Sequence, residues 1–165
     1  LSDNSQQALD KKELKEEHFD YLNIRAMYTD LGYIVKAKKE IDSLESDLES
    51  ECNKIKEYEG FIADLKSSFL NRIKYGRKYN EYITTFTKEI SRHSENKAII
   101  EKALVKKNDW LKSLQADLDE GIANTNVPEK YLTLEWLEIF DGYLEEHGTM
   151  SFKECLALYE AEHVN

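Results

Sequence analysis

Glu160 and His163 stand three residues apart near the end of the chain, a spacing that lets one helical turn offer a carboxylate and an imidazole to the same metal ion. A carboxylate-bridged metal pair also needs a second Glu-x-x-His and two further glutamates, and the sequence supplies no second copy. The spacing therefore predicts a solvated helix face and no metal. His93 falls on an apolar seam, where an imidazole satisfied by a neighbour is the simpler expectation than a pH-sensing one. Lys97 and Lys107 fall on the same seam and read as amines that reach out to water past apolar neighbours rather than as catalytic amines. Trp110 and Trp136 read as core anchors. Cys52 and Cys155 belong to no Cys-x-x-Cys or Cys/His cluster and read as reduced thiols, although a bridge between them stays open. Gly-rich phosphate loops, nucleophile elbows and His-Glu-x-x-His motifs are all missing from the sequence. The expectation is that the chain is not an enzyme and takes no cofactor and no small-molecule substrate.

The most unusual local chemistry lies in residues 65–80, LKSSFLNRIKYGRKYN, which contain no acid. Lys66, Arg72, Lys74, Arg77 and Lys78 are interleaved there with Tyr75 and Tyr79. Clustered cations with aromatic rings suit a phosphate polymer, an anionic membrane face or an acidic protein surface. The plainer reading is a solvated helix end whose basic residues complement the helix dipole.

The rest of the charge has the opposite sign. The formal net charge is −10, and residues 128–165 carry nine acids against two bases. Such acidity disfavours general nucleic-acid binding and suits docking to a basic partner. No run of about 18 apolar residues exists to span a membrane, and no leader pattern is present. The chain opens on Leu1 rather than Met, which reads as a piece of a longer protein. A cytoplasmic location is expected, either as a free protein or as the non-membrane part of a larger or membrane-anchored one.

These residues must be positioned by helices. With one proline, six glycines and 34% charged residues, the composition favours long helices, and 41% hydrophobic content is too high for a disordered chain. Apolar residues recur every seven positions as Ile34, Ile41, Leu48, Ile55, Ile62 and Phe69, resuming after Gly76 as Ile83, Ile90, Lys97, Leu104, Leu111 and Leu118. A companion series three positions later runs Ala37, Leu44, Glu51, Tyr58, Leu65, Arg72, Tyr79, Phe86, His93, Ile100, Lys107 and Leu114. This is a coiled-coil repeat, and each stripe needs a covering helix. A single rod of about 130 Å and a hairpin of two arms of about 60 Å each both satisfy it. The seam fails at Arg72 and Gly76, near the middle of the repeat, which favours the hairpin. Folding about residue 74 sets Leu48 against Ile100, Leu44 against Leu104, Tyr58 against Ile90, Ile62 against Phe86 and Leu65 against Ile83. It also sets Glu51 against Lys97, an opposite-charge pair that would fix register.

Upstream of Leu31 the heptad phase is lost. A separate helix over about 9–28 is expected, with Leu14, His18, Tyr21, Leu22 and Arg25 on one face and Thr29, Asp30 and Gly32 forming a turn. Downstream, residues 121–128 read as a linker, with Gly121 stopping the long helix and Pro128 opening the next. A helix over 129–146 ends at Gly148, and Ser151 with Glu154 forms a capping box that opens a last helix.

The run YLEEHGTMSFKECLALYEAE (143–162) resembles a segment near the end of many uncharacterised Gram-positive bacterial proteins with long helical stretches. The matching residues are Tyr143, Leu144, Gly148, Ser151, Lys153, Glu154, Leu158, Tyr159, Glu160 and Glu162. His147 and Thr149 depart from the pattern, and the match covers about 20 residues. The resemblance implies a cytoplasmic helical region and carries no chemistry with it. The same segment is similar to the first two helices of a winged helix-turn-helix, but no recognition helix follows and the local charge opposes phosphate contact.

The expected architecture is all-α. A short N-terminal helix (1–32) precedes a long antiparallel coiled-coil hairpin (33–121, turn near 72–78). A linker (122–128) then leads to a compact C-terminal helical hairpin (129–165). The expected role is a scaffold acting through coiled-coil packing, a protein partner or self-association, and an acidic docking module. The alternative is a binding module working through the basic turn.

Overall fold

The computed structural model describes the backbone of residues 2–163 and the side chains of residues 22–163. Among these the secondary structure is entirely helical: α1 (Ser2–Lys66), α2 (Phe69–Tyr75), α3 (Arg77–Asn124), a 3-10 turn (Glu129–Tyr131), α4 (Leu134–His147) and α5 (Phe152–His163). The long helices α1 and α3 pack against each other as a helical hairpin. The chain forms two compact units, residues 37–110 and residues 1–36 with 111–165.

In the first of these units, every heptad position from Ala37 to Leu65 and from Tyr79 to Lys107 is buried or half-buried. Most stay half-buried because in a two-stranded seam each helix covers only one side of the other. Cross-helix contacts fix the register. Tyr58 and Phe61 meet Phe86 with ring centroids 5.8 and 5.3 Å apart, and Lys107 pairs with Glu40. These pairings centre on residues 72–74, close to the fold-back point expected from the heptads.

The polar register pair differs from expectation. Glu51 is hydrogen bonded to His93, while Lys97 lies 3.8 Å from Glu101 on its own helix. His93 and Lys97 are one turn apart on the same face, so a shift of one turn decides between them. The shorter imidazole fits the covered seam, and the longer lysine carries its charge to the edge.

The other unit is built around a core of Ile24, Met27, Val127, Leu137, Phe140, Tyr143, Leu144, Phe152 and Cys155. Three expectations need correction here. First, the helix expected to stand alone before residue 32 is continuous with the long one, since α1 runs unbroken through Thr29, Asp30 and Gly32. The buried or half-buried hydrophobic positions run 24, 27, 28, 31, 34, 37, with three successive steps of three at the end. An extra step of three in the heptad overwinds the stripe without ending the helix, and packing of Ile24 and Met27 outweighs the weak propensity of Thr29 and Gly32. The proposed positions Leu14, His18 and Tyr21 lie outside the described side chains.

Second, Gly121 does not stop α3, which continues to Asn124. A Cβ at Gly121 would lie 3.1 Å from Met27 Cγ, so the missing side chain serves the approach of α1 to α3. Third, Pro128 opens only the 3-10 turn, and α4 starts at Leu134, where the Thr133 side chain accepts a hydrogen bond from Trp136 N. Gly148 ends α4 at φ 80°, its N–H donating to Leu144 O. The Ser151–Glu154 capping box is formed, with Glu154 N 3.2 Å from Ser151 Oγ and Ser151 N 3.4 Å from Glu154 Oε2.

Candidate functional site

The chain reversal between α1 and α3 occupies residues 67–76, earlier than the expected 72–78. Serine is a weak helix former, and Ser68 adopts extended backbone (φ −136°, ψ 130°) while its hydroxyl accepts from Leu70 N. The carbonyls left open at the end of α1 are covered locally. Asp64 O accepts from the Ser67 hydroxyl at 2.7 Å and from Asn71 Nδ2 at 3.0 Å. Gly76 closes α2 at φ 56°, ψ −127°, a region open essentially to glycine alone. The reversal is therefore a hydrogen-bonded helical turn.

That turn collects the basic residues singled out above. Lys66 at the end of α1, Arg72 and Lys74 on α2, and Arg77 and Lys78 at the start of α3 are all exposed. The two tyrosines behave differently from the cations. Tyr79 is buried with the Arg72 guanidinium 5.6 Å above its ring, and Tyr75 is half-buried, edge-on to Tyr82 at 5.9 Å. Both rings are committed to the hairpin.

Three residues not singled out as binding residues complete the surface. Phe69, Leu70 and Ile73 are 74, 69 and 67% exposed. The heptad series placed Phe69 in the seam, but the helix carrying that seam ends at Lys66, and α2 starts on a new phase. The legible signal was the Ser67–Ser68 pair followed by a short run of its own helical period, with Ser68, Asn71, Tyr75 and Tyr79 inward and Phe69, Leu70 and Ile73 outward. At about 100° per residue, the outward apolar arc is flanked by Arg72 on one side and Lys74 on the other.

The remaining titratable groups of interest are each held by neighbours. The His93 ring is stacked beside Tyr58 at 5.8 Å in addition to its bond to Glu51. Lys107 pairs with Glu40 and lies 4.8 Å from the Trp110 ring centroid. His163 is stacked on Tyr159 at 4.1 Å with Nδ1 2.8 Å from Tyr159 O, so the ring spaced to join Glu160 is held against its own helix. Among the described residues no group of three or more His, Cys, Asp or Glu side chains is placed to hold a metal ion. Cys52 and Cys155 are both free thiols, and burial pushes the Cys155 thiol up to about 11. Such a thiol is inert at neutral pH.

A second surface lies on α4 and α5. Asp141 is buried and held by Arg25 Nε at 3.0 Å. Every other acid of residues 128–163 is exposed. Beneath them Trp136, Phe140, Phe152, Tyr131 and Tyr159 form one cluster of contacting rings. No helix among the described residues is long and apolar enough to cross a membrane. Comparison with protein-family models, curated proteins and solved structures matched nothing.

Proposed function

We propose that the chain is a non-enzymatic helical scaffold that works by presenting surfaces to protein partners, with the acidic face of α4 and α5 as its docking module. The observation that carries this reading is where the chemically capable side chains are used. His93, Glu51, Lys107 and Glu40 join α1 to α3, and Arg25 joins α1 to α4 through Asp141. Groups so engaged set register and partner choice between helices. The carboxylates left exposed on a rigid aromatic base suit electrostatic selection of a basic protein surface.

Self-association belongs to the same proposal. Ile99 and Val105 on α3 are 66 and 61% exposed, more than a solvated helix face requires. The cytoplasm fits two free thiols, one of them fully buried.

The test is site-specific photo-crosslinking in the native cell. A crosslinking side chain replacing Glu138 is expected to give discrete protein adducts, and one replacing Ile99 an adduct of twice the chain mass. Smeared or absent products at both positions, with the same probe active elsewhere on the chain, reject the scaffold reading.

A further inference from the structure

We propose that the α1–α3 turn is a peripheral membrane contact, with Phe69, Leu70 and Ile73 entering the interfacial region of an anionic lipid leaflet while Lys66, Arg72, Lys74, Arg77 and Lys78 meet its headgroups. The proposal is separate from the docking reading of α4 and α5 and does not depend on it.

Three features of the turn select this occupant. First, the apolar residues project from the end of the hairpin reversal, 67–74% exposed. α2 is the short helix of a reversal, and among the described residues no element covers its outward side chains, as their exposure shows. A protein groove is not needed to cover a projecting apolar edge of three side chains, and a lipid interface accepts one directly. Second, the charges within residues 65–80 are of one sign, with the acids Asp64 and Glu81 lying just outside. Residues 65–80 contain no acid, and all five cations are exposed, with Arg72 and Lys74 flanking the apolar arc. Lysine and arginine stems can lie along the apolar residues while their heads reach phosphate. Third, the two tyrosine rings of the basic segment are engaged within the hairpin rather than presented for stacking by a single-stranded nucleic acid. Tyr79 is buried and Tyr75 packs against Tyr82. That leaves Phe69 as the exposed ring of the turn, beside aliphatic Leu70 and Ile73, which offer bases little and acyl chains much.

The turn is also preorganised. Ser68 caps α2, Asn71 spans back to Asp64, and Gly76 closes it. The three apolar side chains are thus presented without first ordering a loop, which removes a cost from binding.

The experiment is co-sedimentation of the full chain with vesicles of phosphatidylcholine containing phosphatidylserine, set against vesicles of phosphatidylcholine alone. Binding is expected to the anionic vesicles and to weaken as salt rises. Phe69→Ser, Leu70→Ser and Ile73→Ser combined should lower the partition coefficient by roughly a hundredfold. Arg72→Glu, Lys74→Glu and Arg77→Glu should each cost about fivefold or more. All six side chains are exposed, so helicity should match the parent; a small drop in melting is expected for Arg72→Glu and Lys74→Glu, whose cations lie 5.6 and 5.3 Å from the Tyr79 and Tyr75 ring centroids. In a Trp110→Phe, Trp136→Phe background, Phe69→Trp should be quenched by lipids brominated near the headgroup end of the acyl chain.

Several outcomes overturn the proposal. One is the absence of vesicle binding. Another is binding that the serine variant retains in full, which means adsorption by charge alone. A third is an unquenched Trp at position 69. Capture of a single-stranded oligonucleotide or of polyglutamate in place of vesicles also overturns it.

Discussion

Glu51 on α1 accepts a hydrogen bond from His93 Nδ1 on α3, and the imidazole lies nearly parallel to the Tyr58 ring. Two polar side chains thus occupy a seam whose other positions are mostly apolar, and both are shielded, with side-chain exposures of 20 and 10%. The bond is the cross-helix link between them, so removing either leaves a shielded polar group without it, although His93 Nε2 keeps Glu89 at 3.7 Å on its own helix.

A double-mutant cycle measures that dependence. His93→Leu and Glu51→Leu are each expected to lower stability by about 1–3 kcal/mol. The double variant, which extends the apolar seam, should recover much of the loss, because matched apolar residues often replace a buried polar pair at little cost. A coupling energy of about 1–3 kcal/mol from urea midpoints is the expected result. Additive single effects would mean that the two residues do not interact in solution.

The seam itself was legible because a seven-residue repeat is a direct statement about which face of a helix is covered. Ile41, Leu44, Leu48, Tyr58, Ile62, Phe86, Ile90 and Ile100 all take the covered positions that their spacing assigned. The turn was harder to place for a physical reason. Ile62, Phe69, Gly76 and Ile83 are spaced by sevens, so the repeat passes through the reversal in phase and hides it. What breaks the helix is local, the Ser67–Ser68 pair and the conformation of Gly76, and neither carries hydrophobic periodicity. The choice of Glu51's partner had the same origin, since heptads give faces but leave a register open by one turn. Phe69, Leu70 and Ile73 escaped because apolar residues are read as core until their helix is known to have ended. The continuity of α1 through Gly32 and of α3 through Gly121 was hidden by the opposite bias, in which glycine is read as a stop although packing can hold it in a helix.

Gly76 makes a sharper prediction because the heptad phase survives the turn. Its φ of 56° with ψ −127° excludes a Cβ on backbone grounds, although nothing lies within 4 Å of where that atom would stand. Gly76→Ala is expected to destabilise the turn by about 1–3 kcal/mol. The same substitution favours helix by about 1 kcal/mol, so the two effects act together against the reversal. Ile62, Ile83 and their neighbours would then remain in phase along one straight helix, and two such chains could pair the seam between them. Sedimentation equilibrium should show a rise in dimer for Gly76→Ala relative to the parent. An unchanged association state together with an unchanged melting temperature would show that the turn is not held by this glycine.

The unit containing α4 and α5 should lose stability in alkali, through two groups that hold their protons when folded. The hydrogen bond from Tyr143 to Glu162, 2.6 Å long, together with burial, pushes the tyrosine up to about 12 from its ordinary 10.0. Burial among the core residues, aided by Glu154, pushes Cys155 up to about 11 from 9.0. Both are acids whose folded values are raised. Their favourable contribution is therefore complete below the unfolded values, and it disappears as pH climbs through the folded ones. The expected window opens near pH 9 with Cys155 and closes near pH 12 with Tyr143. Trp136, stacked on Phe140 at 5.7 Å in the same unit, reports it by fluorescence in a Trp110→Phe background. Tyr143→Phe should cost about 1 kcal/mol at neutral pH by deleting the bond to Glu162. It should also remove the upper part of the alkaline fall, leaving a loss that is complete near pH 11. If Tyr143→Phe follows the parent curve through that upper range, the hydrogen bond to Glu162 does not form in solution.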